Sequence, residues 1–259
     1  MGPNLEWAPR QCKLRDVDYN GQTMIEPEFE ILAEAGPCLV VCKPPGLLTQ
    51  APPGIDSLED RIKRFLKERD EKPGRVYLGV PHRLDRPASG VMVFAKHVRA
   101  ARRIARQFEA RSVEKTYWAL VEGHVRPREG TWRDHMRKIP DVAKAEIVAG
   151  EHPDAREAIM RYRTLARLAT CTWLEIRLET GRMHQIRVQC SSRGYPLLGD
   201  AQYGATELFG EQFEDERLRA IALHARVLKF DHPMTGVSMT FVAPPPASWK
   251  EAGVEASEV

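Results

Sequence analysis

The sequence predicts an α+β fold, one domain built on a mixed, mostly antiparallel sheet. Three observations carry this. Short apolar runs of strand length recur along the 259 residues, most of them closed by Gly, Pro or polar turn residues. Only three stretches space their apolar residues as a helix does. No internal repeat and no long linker divides the chain, which is long enough to bury a substantial core.

Residues 1–25 show no clear periodicity and are expected to form an extension. Residues 29–32 and 38–42 are apolar runs parted by Glu34-Ala35-Gly36-Pro37, which suits two strands around a turn. Lys43-Pro44-Pro45-Gly46 stops the second run abruptly. Ser57 followed by Asp60 has the spacing of a helix N-cap, and Leu58, Ile62, Phe65 and Leu66 then form one apolar stripe up to Pro73-Gly74. Residues 76–80 and 91–95 are expected strands on either side of a loop. A helix over 98–109 sets Val98, Ala101, Ile104, Ala105 and Phe108 against Arg99, Arg102, Arg103 and Arg106.

Residues 116–122 alternate as a half-buried strand does, with Tyr117 on one face. The stretch 126–144 is rich in Arg, Lys and Pro and is expected to be a long excursion from the strand layer. Residues 159–168 and 171–178 predict a hairpin, and 183–193 a helix that ends at Gly194. The acidic stretch 206–218 is expected at the surface. Strands over 223–230 and 237–242 flank the turn His232-Pro233-Met234-Thr235-Gly236. Pro244-Pro245-Pro246 and the residues after it are expected to be peripheral.

A composition of 42% hydrophobic and 29% charged residues is ordinary for a globular protein. No apolar run approaches the roughly 18 residues of a membrane helix. The first residues lack a cationic start and an apolar core, so neither a secretory signal nor a membrane partner is expected. Cys12, Cys38, Cys42, Cys171 and Cys190 are scattered and form no C-x-x-C pair. Reduced thiols in a cytoplasmic protein follow, and a monomer is the default. The net charge of +3 conceals an asymmetry. Residues 81–138 hold 14 Lys/Arg against 6 Asp/Glu, and the rest of the chain 25 against 30. A basic face over the first of these regions points to a polyanionic partner.

The candidate centre is Pro81-His82-Arg83-Leu84-Asp85-Arg86-Pro87-Ala88-Ser89-Gly90, a loop that runs into the apolar 91–95. It presents one acid between two arginines, whose charges favour the carboxylate. Asp85 could act on an anionic polymer, or could only brace a turn through Arg83 or Arg86. This stretch resembles the H-R-L-D-x-x-T/S-S-G loop of the RluA-type pseudouridine synthases. Three further segments are similar to that family in the same order. They are 39–46, ending Lys43-Pro44-Pro45-Gly46; 115–123, Lys115-Thr116-Tyr117-Trp118-Ala119-Leu120-Val121-Glu122-Gly123; and 180–187, Thr180-Gly181-Arg182-Met183-His184-Gln185-Ile186-Arg187. The last continues into Gly194-Tyr195-Pro196-Leu197-Leu198-Gly199-Asp200 and Tyr203-Gly204. Ala88 stands where the family commonly has Thr, and Met183 where Thr or Ser is usual.

The resemblance implies a synthase fold with a cleft crossing the sheet, in a catalytic domain over 26–247 between an extension (1–25) and a tail (248–259). It leaves too little chain before the first expected strand for the small S4-type RNA-binding domain some members carry. It implies isomerisation of uridine to pseudouridine in ribosomal or transfer RNA. That chemistry needs no redox step and no external group, so no cofactor and no metal is expected. By matching positions Asp85 is the nucleophile or general base, Arg187 the guanidinium that pairs with it, and Tyr117 the ring that stacks on the base near C5. Tyr117 taken alone reads as a core strand tyrosine. Arg83, Arg86, Lys115, Arg182, His184 and Gln185 are the candidates for holding RNA. His82, His184 and Lys43 also have structural readings. Two other functions compete: a non-catalytic RNA-binding protein that retains the cleft, and a hydrolase using Asp85 and His82.

Overall fold

The computed structural model describes residues 27–255. The expected extension over 1–25 lies outside the described residues. The described residues form ten strands in one sheet, in the order β1 (Glu30–Ala35), β2 (Cys38–Lys43), β3 (Ser89–Ala95), β9 (Leu223–Asp231), β4 (Glu114–Glu122), β8 (Cys171–Leu178), β7 (Arg156–Arg167), β5 (Glu129–Lys138) and β6 (Ala145–Val148), with β10 (Ser238–Val242) also on β9. All pairings but one are antiparallel, so the expected α+β architecture is the one found. The exception is β3 on β9, where Ser89 and Gly90 run parallel to His224 and Ala225. Gly90 makes this junction possible. Its φ is +122°, and a Cβ there would lie 2.3–2.7 Å from backbone atoms of Ala225.

Two of the helices form where capping and periodicity agree. Ser57 accepts the Asp60 N–H at the start of α1 (Leu58–Arg69), whose Leu58, Ile62, Phe65 and Leu66 are buried. His97 accepts the Ala100 N–H at the start of α2 (Val98–Glu109), which packs on β3 and β9. The third, α3 (Gln185–Ser191), is shorter than its expected span. Strand alternation sorts β4 into two layers. Ala119 and Val121 join a cluster with Ile186 and Leu174, while Trp118 and Leu120 join one with Trp173 and Trp249.

Three expectations are corrected. Residues 76–80 are not a strand: only Gly79 bridges to Ala95, and a Cβ on Gly79 would lie 2.4 Å from the Ala101 side chain of α2. Residues 126–144 are not an excursion, because β5 spans 129–138 and pairs along β7. Its alternation is hidden because Gly130 and Asp134 share the covered face with Trp132 and Met136, and Asp134 is held there by Gln189 and Arg193. Residues 247–255, after the proline run, are not peripheral, and the last four of the expected tail, 256–259, lie outside the described residues. The helix α4 (Ala247–Glu251) buries Trp249 completely, with Val254 beside it. Truncating such a side chain to Ala costs about 3–5 kcal/mol. The four described cysteines are buried free thiols. Among the described residues no helix is long and apolar enough to cross a membrane.

Candidate active site

The Asp85 loop is tied at His82, Leu84, Arg86 and Ser89 to the sheet and to the segment that follows β2. Lys43, fully buried at the end of β2, donates its ammonium to the carbonyls of Pro44 (2.9 Å), Leu47 (2.7 Å) and Arg86 (3.1 Å). Burial pushes the Lys43 ammonium down to about 7, with Asp85 opposing. Its three carbonyl partners accept only, which suits the protonated form. Buried Thr49 donates to the Leu84 carbonyl at 3.0 Å and accepts the Leu84 N–H at 3.3 Å. Arg86 Nε donates to the Gly46 carbonyl at 2.9 Å. At the loop's exit the Ser89 hydroxyl meets His224 Nδ1 at 2.9 Å, and His224 Nε2 meets the Ala243 carbonyl at 3.1 Å. That carbonyl can only accept, so Nε2 carries the hydrogen and Ser89 donates to Nδ1.

His82 is held at the loop's entrance. Its Nε2 accepts the Val93 N–H at 3.0 Å, and its ring stacks on Phe108 with centroids 4.5 Å apart. Burial pushes its imidazolium down to about 3, so the ring is neutral.

The carboxylate of Asp85 faces α3 and the loop after it. Arg187 is only 4% exposed and its Nη1 lies 3.6 Å from Asp85 Oδ2. The two-pronged hydrogen bonding of its guanidinium, however, goes to another acid. Arg187 Nε and Nη2 each donate at 2.7 Å to the two oxygens of Asp200, and Nη2 also reaches Gln202 Oε1 at 2.8 Å. The guanidinium lies over the Tyr203 ring, 4.8 Å from its centroid. The Nε/Nη2 edge of the planar guanidinium can hold one carboxylate through two parallel hydrogen bonds. Asp200 takes that position and Asp85 is left facing the remaining nitrogen.

Tyr117 lines the cavity where β9 carries an extra residue, Arg226, opposite the Thr116–Tyr117 step of β4. Bulges re-aim side chains in this way. Burial pushes the Tyr117 phenol up, and the charge of Asp85 pushes it further. Together these groups line a cavity of about 310 Å³ whose walls include Asp85, Tyr117, Lys115, His82, Arg182 and Arg187, with apolar Ala88, Leu178, Ile186 and Leu223. A second, larger cavity of about 830 Å³ meets the first at Asp85 and is edged by Arg83, Arg86, Arg217 and Arg219.

The other expected contacts divide. Arg83 is exposed, lines both cavities, and has no acid partner among the described residues. Lys115 is half-buried, with its ammonium against Gly181, and burial followed by Arg111 pushes it down. Arg182 donates Nε to the Glu157 carbonyl at 2.9 Å while lining the smaller cavity. Arg86 is engaged in bracing its own loop. Gln185 does not fit a role in holding RNA. It is 3% exposed; its Oε1 accepts from Thr180 Oγ1 and the Arg182 N–H, and its Nε2 donates to Gln189. His184 turns toward Asp85, with Nε2 3.8 Å from Oδ1. Asp200, Tyr203 and His224 were not singled out from sequence as site residues. The first two stood in the quoted Gly199-Asp200 and Tyr203-Gly204 segments, but nothing in their spacing announced their partners. Among the described residues no group of three or more His, Cys, Asp or Glu could hold a metal ion.

A family model described as RNA pseudouridylate synthase matches residues 37–192, a span that contains Asp85, Tyr117 and Arg187. The chain is 35% identical to the ribosomal large subunit pseudouridine synthase D of Pseudomonas aeruginosa, over 85% of this chain and 69% of that one. It is 32% identical to an uncharacterized RNA pseudouridine synthase, YlyB, of Bacillus subtilis, over 92% and 80%. Among solved structures, human RNA pseudouridylate synthase domain containing 4 superposes with a TM-score of 0.71 at 24% identity, covering 87% of this chain and 94% of that one. That likeness shows the shared fold.

Proposed function

The chain belongs to the RNA pseudouridylate synthase family and is an isomerase of uridine in RNA, and from that premise we propose that Asp85 is the reacting carboxylate, acting on a uridine flipped into the smaller cavity. The observation that carries the reading is the meeting of Asp85, Arg187 and Tyr117 around a space of about 310 Å³ with both apolar and cationic walls. A uracil stacked in RNA exposes neither C1′ nor C5 to a carboxylate, so the nucleotide leaves the stack at a cost of a few kcal/mol. The apolar wall of Ile186, Leu178 and Leu223 receives the base, and the Tyr117 ring stacks against it.

In the reaction the C1′–N1 bond breaks, the ring turns, and C1′ bonds to C5. The hydrogen on C5 leaves as a proton and N1 gains one, so the RNA keeps its mass. Asp85 assists cleavage at the sugar or the ring. Tyr117 rests as a neutral phenol, so a proton passing from C5 to its oxygen requires its own hydrogen to pass on toward N1 or Asp85 in the same step. Arg83, Lys115 and Arg182 offer cations to the phosphates or base carbonyls; Arg86 and Gln185 serve the architecture. The same reading has a catalytic domain that begins near residue 26 and acts as a cytoplasmic monomer on specific uridines in structured ribosomal or transfer RNA.

The test is a site-resolved pseudouridine map of ribosomal and transfer RNA from cells with and without the gene. One or a few sites should vanish, and the purified protein should restore them on RNA lacking them. A map unchanged by loss of the gene would overturn the reading.

A further inference from the structure

We propose that His184 is a positioning residue for Asp85, with an Nε2–H aimed at the Asp85 carboxylate by the hydroxyl of Tyr203. This rests on Asp85 being the reacting carboxylate. The first observation is backbone conformation. His184 sits at φ 53°, ψ 26°, in the left-handed region, where a side chain with a Cβ costs about 1–3 kcal/mol. Its side chain does not cap the helix it precedes, so capping does not offset that cost.

The ring is instead held by a chain of hydrogen bonds. The Ala145 N–H of β6 donates to the Tyr203 oxygen at 2.9 Å. Tyr203 then has one hydrogen to give, and two acceptors within reach: His184 Nδ1 at 2.8 Å and the Ala145 carbonyl at 3.4 Å. The shorter bond takes it. Nδ1 is therefore an acceptor, the hydrogen of the neutral imidazole is on Nε2, and Nε2 is the atom 3.8 Å from Asp85 Oδ1. Arg187 Nη1 faces the other oxygen, Oδ2, at 3.6 Å. Each carboxylate oxygen thus has its own donor. Both distances exceed a hydrogen bond, as catalytic contacts do before substrate closes the site.

The surroundings favour this over a phosphate contact. The His184 side chain is 10% exposed, and burial pushes its imidazolium down; Asp85 and Asp200 oppose that shift, while Arg187 and Arg83 reinforce it. A neutral, buried ring directed at a carboxylate is a poor anchor for an anion. One turn organises both donors: Asp200 and Gln202 hold Arg187, and Tyr203 holds His184 while its ring lies under the guanidinium.

The experiment compares the full chain with Tyr203→Phe and His184→Asn, on an RNA whose conversion by the wild type has been mapped. Tyr203→Phe keeps the ring beneath Arg187, and Asn tolerates the left-handed backbone. The expected result is a kcat about tenfold lower for Tyr203→Phe and ten- to hundredfold lower for His184→Asn, with KM and RNA affinity within twofold. Long-range ¹⁵N–¹H spectra of histidine-labelled protein should show His184 as a single Nε2–H tautomer, mixed in Tyr203→Phe. A raised KM at unchanged kcat would make His184 an RNA contact and overturn the proposal. So would a lowered melting temperature with unchanged kcat, measured where both variants are folded. Equal product from wild type and Asp85→Asn would sink the underlying reading; an inactive Asp85→Asn beside fast His184 variants would sink this inference alone.

Discussion

Asp85 and Asp200 approach the same guanidinium from two loops, and they hold it in different ways. Asp200, 1% exposed, takes two 2.7 Å hydrogen bonds from Arg187 in a buried fork. Asp85, a quarter exposed and open to two cavities, stands 3.6 Å from one remaining nitrogen. The first arrangement fixes the cation; the second leaves a carboxylate near a fixed cation yet free to move toward a substrate. Pre-placed charge that need not reorganise during reaction is the feature electrostatic catalysis requires. The loops beneath them differ to match. The backbone on either side of Asp85 is pinned, at Leu84 by Thr49 and at Arg86 by Lys43, while its side chain makes no short hydrogen bond.

Substitutions at the two acids separate these roles. Asp85→Ala should lower isomerisation at least about a thousandfold, some 4 kcal/mol in activation free energy. Its unfolding free energy in urea should change by no more than about 1 kcal/mol, because no short hydrogen bond to its side chain is lost. Asp200→Ala leaves a buried guanidinium without its partner and should cost about 3–5 kcal/mol of stability. Equal stability losses at the two positions would erase the distinction. Tyr117→Phe should lower kcat about a hundredfold at unchanged melting temperature, since only the phenol oxygen in the cavity is removed.

The smallest effect is on pH-dependent stability. Burial pushes the His224 imidazolium down to about 4, although its bond to the Ala243 carbonyl opposes this. The unfolded chain takes up a proton near pH 6.5 and the folded one near 4. The stability from keeping this ring neutral is therefore complete above 6.5 and is lost as pH falls toward 4. At pH 5 the His224 share of the loss is roughly 2 kcal/mol relative to pH 7. Denaturation midpoints at the two pH values, with His224→Gln as reference, measure it: the drop should shrink by that amount in the variant.

What could be read from sequence follows from how local the cause is. The helix over 98–109 was legible because its apolar residues recur at helical spacing opposite its arginines; its His97 cap emerges only in the structure. The strands β2 and β3 were legible because burial on both faces makes them continuously apolar. Non-local causes were not. The covered face of β5 carries Gly130 and Asp134, so its alternation looks polar until Gln189 and Arg193 are brought beside it. Trp249 reads as a lone aromatic after three prolines, and only the clustering of Trp118 and Trp173 makes it core. In the site, Asp85, Arg187 and Tyr117 were recognised by motif. That Asp200 takes the guanidinium's fork depends on two loops folding back on each other. The aim of Tyr117 is set beside a one-residue bulge at Arg226 of the neighbouring β9, which no pattern in 114–122 reveals.

The most direct measurement uses RNA carrying tritium at C5 of uridine, because joining C5 to C1′ must expel that hydrogen. Wild type should release tritium to water while the RNA keeps its length, and Asp85→Asn should release none above background. Equal release by both proteins, or RNA shortened in step with release, would contradict the account.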